Sequence, residues 1–240
     1  MNWLARLDVD TESLRKAGVS ADIYTWHQKL WECYPNAPDA KRDFLTRIDQ
    51  LEGAYRFWVL SQRKPVCPQW CLIDGFAVNA ISPSFMTHRY YAFDLRANPI
   101  RMLSIPKKDD GQPVLHTNGK RKRGKRIPLV KPDELRSWLI QKGKVRAVIS
   151  KKGEPRIEIP GGFRIIETKE KPLEISPMVE SHFRKKEHSA YHGGVQFRGI
   201  LEVTDREHFI QSYQAGIGSA KGFGFPLCQD RCRLSLRAFE

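Results

Sequence analysis

The chain has 240 residues, 40% of them hydrophobic, which suits one large domain or two of about 100–120 residues with real cores. Lysine and arginine number 41 against 27 acids, a formal charge of +14; that exceeds what solubility requires and points to a polyanionic partner, nucleic acid before membrane. No apolar run approaches the ~20 residues of a membrane span, five cysteines argue against a secreted disulfide framework, and the opening residues lack signal-peptide architecture, so the cytoplasm is the expected location.

Residues 2–9 alternate, with Trp3, Ala5 and Leu7 against Leu4, Arg6 and Asp8, and predict a first strand. Ser20 then caps a helix to about Cys33, ended by Pro35 and Pro38. On that helix Ile23, Trp26, Leu30, Cys33 and Tyr34 share an arc that faces a core, with His27 at its edge and Tyr24 and Trp31 farther toward solvent. Tyr24 and His27, three residues apart, are neighbours on the helix surface. A histidine so placed serves either the structure or proton transfer at neutral pH.

Two strands follow, at 43–49 and 55–60, joined through Glu52 and Gly53. Residues 64–86 are rich in proline, cysteine and glycine and show little periodicity. Residues 90–97 alternate as a strand, and a basic stretch runs from 107 to 126. Within it Lys120, Arg121, Lys122, Arg123, Lys125 and Arg126 sit between regular elements, which favours a structured arm on a nucleic-acid backbone over a solvated loop. Pro132 starts a helix to about Lys142, residues 162–168 and 194–203 read as strands, and Asp205 caps a helix through Gln214 before a closing strand. From Arg89 onward the order is β-α-β-β-α-β, and the first half gives β-α-β-β. The expected fold is α+β, two tandem ferredoxin-like domains at 1–87 and 88–240.

Between the last helix and the closing strand lie Gly216, Gly218, Ser219, Lys221, Gly222 and Gly224. Such a run either cradles a phosphate through backbone N–H groups or lets two elements pack closely. It lacks the Gly-Lys-Ser/Thr ending of a Walker A loop, and its place in a split βαβ excludes a nucleotide pocket. That leaves a surface against RNA or the first domain, with Lys221 best suited to direct contact. Cys67 and Cys71 share a spacing with Cys228 and Cys232, which makes either a four-thiolate zinc site or two pairs on strand faces.

Four segments carry a family likeness: Tyr24-Thr-Trp-His-Gln-Lys-Leu-Trp31 with Tyr34-Pro35; Phe93-Asp-Leu-Arg-Ala-Asn-Pro99; Lys125-Arg-Ile-Pro-Leu129; and Gly216-Ile-Gly-Ser-Ala-Lys-Gly-Phe-Gly224. In their order and spacing the chain resembles the CRISPR-associated repeat-RNA endoribonucleases of the CasE type, from type I-E systems. The resemblance implies two ferredoxin-like domains that bind the stem-loop of a CRISPR repeat transcript, cut once at the 3′ base of the stem, and stay with the product among the other subunits of a surveillance complex. It implies His27 and Tyr24 as the catalytic pair and the loop 216–224 as the family's glycine-rich loop; because RNA supplies its own 2′-OH nucleophile, no metal or cofactor is expected. The segment after Phe225, polar and opened by Pro226, departs from the family's apolar last strand, and residues 64–86 match it poorly. The competing class is a non-catalytic RNA-binding module that stacks bases on Phe223 and Phe225.

Overall fold

Apolar alternation builds the first sheet. In the computed structural model, which describes residues 2–16, 18, 23–35, 43–103, 112, 124–149, 155–159, 161–185, 188–218 and 226–227, strand β1 (Trp3–Asp10) buries Ala5, Leu7 and Val9 on one face. Asp10 then starts a short helix, α1 (Thr11–Lys16), by accepting the Ser13 backbone N–H at 2.7 Å. No periodic signal marked this turn. Helix α2 (Ile23–Lys29) runs into a 3-10 turn, Leu30–Cys33; Ser20 lies outside the described residues. Strands β2 (Phe44–Leu51) and β3 (Ala54–Ser61) form the expected hairpin. Strand β4 (Phe76–Ala80), from the stretch without periodicity, pairs with β1. The sheet order is β2-β3-β1-β4, every pair antiparallel.

The second sheet begins with β5 (Tyr90–Ala97). Strands β6 (Ile100–Met102) and β7 (Arg126–Pro128) pair as a ribbon, followed by α3 (Pro132–Gly143). A second ribbon, β8 (Arg146–Ile149) with β9 (Pro155–Ile159), precedes β10 (Phe163–Ile166) and β11 (Glu174–Ile175). Strand β12 (Val179–Lys185) then folds back on the long β13 (His188–Val203). The expected strand at 194–203 is therefore only the inner end of a longer hairpin. Helix α4 (Arg206–Ala215) has its N-terminus capped by Asp205, and β14 (Pro226–Leu227) closes on β5. The main path is β10-β13-β5-β14, again antiparallel. Counted in chain order, its four strands sit in the same sequence as those of the first sheet.

Each sheet covers one apolar face with helices. Trp26 of α2, 2% exposed, lies 5.3 Å from the Tyr55 ring and 4.7 Å from Phe57. On the second sheet, Leu135 and Leu139 of α3 and Phe209 of α4 pack on Tyr91, Phe93 and Leu95. Gly143 ends α3 so close to β10 that a Cβ there would lie 2.2 Å from the Phe163 carbonyl oxygen. Where the two halves meet, Leu45 and Leu60 bury against Tyr213, with Phe85 and Met86 beside them. Beside that seam, the nearly buried Arg47 pairs with Asp49 at 2.7 Å and with Asp94 at 3.2 Å. Asp94 also accepts from Gln196 at 2.8 Å and Arg198 at 3.2 Å.

Candidate active site

The helix that carries His27 is fixed from behind. Trp26 and Leu30 are buried in the first core, so the next flank of α2 is held at the core boundary. There His27 is half-buried, its ring 6.1 Å from that of Phe44 on β2. Phe44 also receives Trp31 edge-on at 5.0 Å and stacks with Tyr34 at 5.0 Å. Trp31, expected toward solvent, is thus half-buried, because β2 supplies a ring that helical periodicity alone does not reveal. Arg63 lies over Tyr34 at 4.5 Å and grips Asp43 through two bonds of 2.6 and 2.7 Å. Burial pushes the Tyr34 phenol above its ordinary value, which keeps it neutral near pH 7. Lys29 is paired with Glu32 at 2.8 Å.

Helix α2 of the first half lies against β12 of the second. In sequence that hairpin carries basic residues (Arg184 and Lys185 at the end of β12) and three histidines, His182, His188 and His192. Sequence reading missed the hairpin because its polar residues show no apolar face.

The other anticipated residues lie apart from His27, except Tyr24. Tyr24 lies in α2, one turn before His27, with its side chain outside the described residues. Lys125 and Arg126 are exposed on the β6–β7 ribbon, where the Lys125 carbonyl accepts from Leu103 at 2.8 Å. Lys120, Arg121, Lys122 and Arg123 lie outside the described residues, as do Ser219, Lys221, Gly222 and both Phe223 and Phe225. Gly216 closes α4 at φ 74°, its N–H donating to Ser212 at 2.9 Å. At Gly218, φ is 98° and the Trp138 ring lies 3.4 Å from where a Cβ would be, while Ile217 packs on the second core. These two glycines therefore let the loop fit closely against α3.

The cysteines are arranged differently from the paired spacing. Cys67 and Cys71 lie in a loop, not on a strand, and meet Cys33 from the end of the α2 turn. The Cys67 thiol donates to the Cys71 carbonyl at 3.3 Å, and Val66 N–H donates to the Cys33 carbonyl at 3.0 Å. Burial pushes the Cys33 and Cys71 thiols up to about 12. Among the described residues no group of three histidine, cysteine or acidic side chains could hold a metal ion, and Cys228 and Cys232 lie outside them. No helix among the described residues is long and apolar enough to cross a membrane.

The fold is that of the CRISPR-associated Cas6e and Cse3 proteins. The crystal structure of Cas6e from Escherichia coli K-12 matches with a TM-score of 0.64 at 22% identity, over 95% of this chain and 98% of that one. Thermus thermophilus Cse3, solved with an RNA representing a pre-cleavage complex, matches with a TM-score of 0.64 at 23% identity, over 94% and 98%. The CRISPR system Cascade subunit CasE of Escherichia coli K12 is 29% identical over 207 residues, 85% of this chain and 89% of that protein. The chain belongs to the CRISPR associated protein family, matched over residues 2–228, and is of the CasE type.

Proposed function

We propose that this protein is a metal-independent endoribonuclease that binds the stem-loop of CRISPR repeat RNA and cuts at the 3′ base of the stem. It keeps the product and works in the cytoplasm with the other subunits of a type I-E surveillance complex, as expected of a relative of a Cascade subunit. Its frame is two tandem ferredoxin-like domains, 1–87 with the catalytic helix and 88–240 with the basic arm and the glycine-rich loop. The observation that carries the reading is His27, a half-buried imidazole on a helix anchored by Trp26, in a chain of the CasE type.

RNA carries its own nucleophile in the 2′-OH beside each phosphate. Intramolecular attack needs in-line geometry, a proton acceptor at the 2′-OH, a proton donor at the departing 5′-oxygen, and positive charge near the phosphorane. His27 acts as the general acid, giving its proton to the departing 5′-oxygen, while Tyr24 positions the 2′-OH, whose proton passes to solvent water as its oxygen bonds to phosphorus. The products are a 5′-OH and a 2′,3′-cyclic or 3′-phosphate. Lys120, Arg121, Lys122, Arg123, Lys125 and Arg126 follow the A-form backbone, and Lys221 with the backbone of Gly216, Gly218, Ser219 and Gly222 adds contacts at the loop.

His27→Ala should abolish cleavage of a repeat hairpin while leaving its gel-shift affinity within about threefold. A collapse of binding would make the histidine structural. A 2′-deoxy nucleotide before the cut should block the reaction, and cleavage should persist in EDTA; cutting of the deoxy substrate, or loss of activity with chelator, would each overturn the mechanism.

A further inference from the structure

One cavity is not used by the mechanism above. It holds about 600 Å³ at the C-terminal end of the α2 turn and is lined by Trp31, Glu32, Pro35, Cys67, Pro68 and Gln69. That volume falls within the range of about 300–1,000 Å³ that takes small ligands. Its walls are an indole and two prolines, and Val66 at its rim is 46% exposed, so apolar surface faces water there. The exposed amide of Gln69 offers a donor and an acceptor at the edge. Flat apolar walls with such an edge fit the π-face and polar rim of a nucleobase.

The order of residues along the helix says which base. Along the backbone the order is Tyr24 and His27 in α2, three residues apart, then Trp31 four residues on in the 3-10 turn, with about one turn (~5 Å) between neighbours. His27 and Trp31 both reach Phe44, which places them on the same flank. In-line attack sets the 2′-OH and the departing 5′-oxygen on opposite sides of phosphorus. The 2′-OH belongs to the nucleotide before the cut and faces the Tyr24 end; the 5′-oxygen at His27 belongs to the nucleotide after it. Beyond His27 along the chain, Trp31 lines the cavity.

We infer that this cavity binds the unpaired nucleobase directly 3′ of the scissile phosphate, stacked against Trp31 and the prolines. The inference rests on the proposed endoribonuclease reading and adds the position of the leaving strand. Seating that base would hold its 5′-oxygen at His27 before cleavage.

Cys67 supplies the probe, because it lines the cavity while Cys33 and Cys71 are buried and held as thiols. The protein is treated with N-ethylmaleimide alone, with a repeat hairpin extended 3′ of a 2′-deoxy cut site, and with the same hairpin ending at the cut. Alkylation of the peptide containing Cys67 is read by mass spectrometry, and binding of both hairpins by gel shift on the same samples. The extended RNA should slow Cys67 alkylation about tenfold, the stacking of one base, and the truncated RNA should leave it unchanged. An abasic nucleotide directly after the cut should cancel the protection. Equal protection by both hairpins, or by neither, with both bound, would overturn the cavity assignment and leave the endoribonuclease reading standing. Failure of either hairpin to bind at all would remove that reading and this one with it.

Discussion

Glu202 shows how much one side chain can organise. It is 5% exposed on β13, yet it receives Arg89 through bonds of 2.9 and 2.7 Å and also Arg164, both of them largely exposed. The Arg89 and then the Arg164 hydrogen bonds hold its carboxyl below the ordinary value of 4.5. A folded value below the unfolded one means stabilisation that is full above 4.5 and is lost as pH falls through the lowered value. Glu202→Gln should therefore lower the melting temperature at pH 6, and the gap to the parent should close as the pH is taken to 3; a gap of constant size would show that the carboxylate's charge is not what matters. Nothing local in the sequence announces this residue, since its partners lie 38 and 113 positions away. His27 is the opposite case. Its place at a core boundary follows from the spacing of Trp26, Leu30 and Cys33, all of which are buried.

Among the elements, helices with caps and apolar spacing were legible. Pro132 and the Leu135–Leu139 pair mark α3, and Asp205 marks α4. The expected helix to Cys33 is shorter, because its last residues tighten into a 3-10 turn before the chain turns at Tyr34. The β12–β13 hairpin and the strand β4 escaped detection, since their pairing is set by partners and not by an apolar face. Element contacts also decide the sign of a substitution. Alanine is the better helix former, so Gly143→Ala would gain about 0.5–1 kcal/mol in an isolated helix. Here the added carbon would meet the Phe163 carbonyl at 2.2 Å. The overlap should win, destabilising the protein by about 3 kcal/mol, to be read as a lower urea midpoint with unchanged slope. A neutral or raised midpoint would mean that β10 can retreat from α3.

For the molecule as a whole, β5, α3, β10, the inner end of β13 and α4 were readable in the second half, where alternation and caps agree, while the ribbons and hairpin between them were not; in the first half the signal faded where proline and cysteine replace periodicity. The mutual placement of the halves was not readable at all. It depends on the apolar seam of Leu45, Leu60 and Tyr213, and on Arg47 reaching Asp94 from the other sheet. Removing one member of a nearly buried ion pair leaves its partner's charge exposed to a poor environment. Arg47→Ala is expected to cost about 3 kcal/mol, the low end for such pairs because Asp94 keeps Arg198 and Gln196. Urea denaturation would measure it; a loss below about 0.5 kcal/mol, as for an exposed pair, would show that water reaches the seam.

The meeting of α2 with β12 bears on how such a protein can change over time. A helix from one half and a hairpin from the other share a border, although each half has its own sheet and its own core. The two halves are thus separable as folding frames but not as inheritance. A chimera that took its first half from a relative would receive a complete core but a helix α2 set against a foreign hairpin, unless the hairpin that borders α2 came with it.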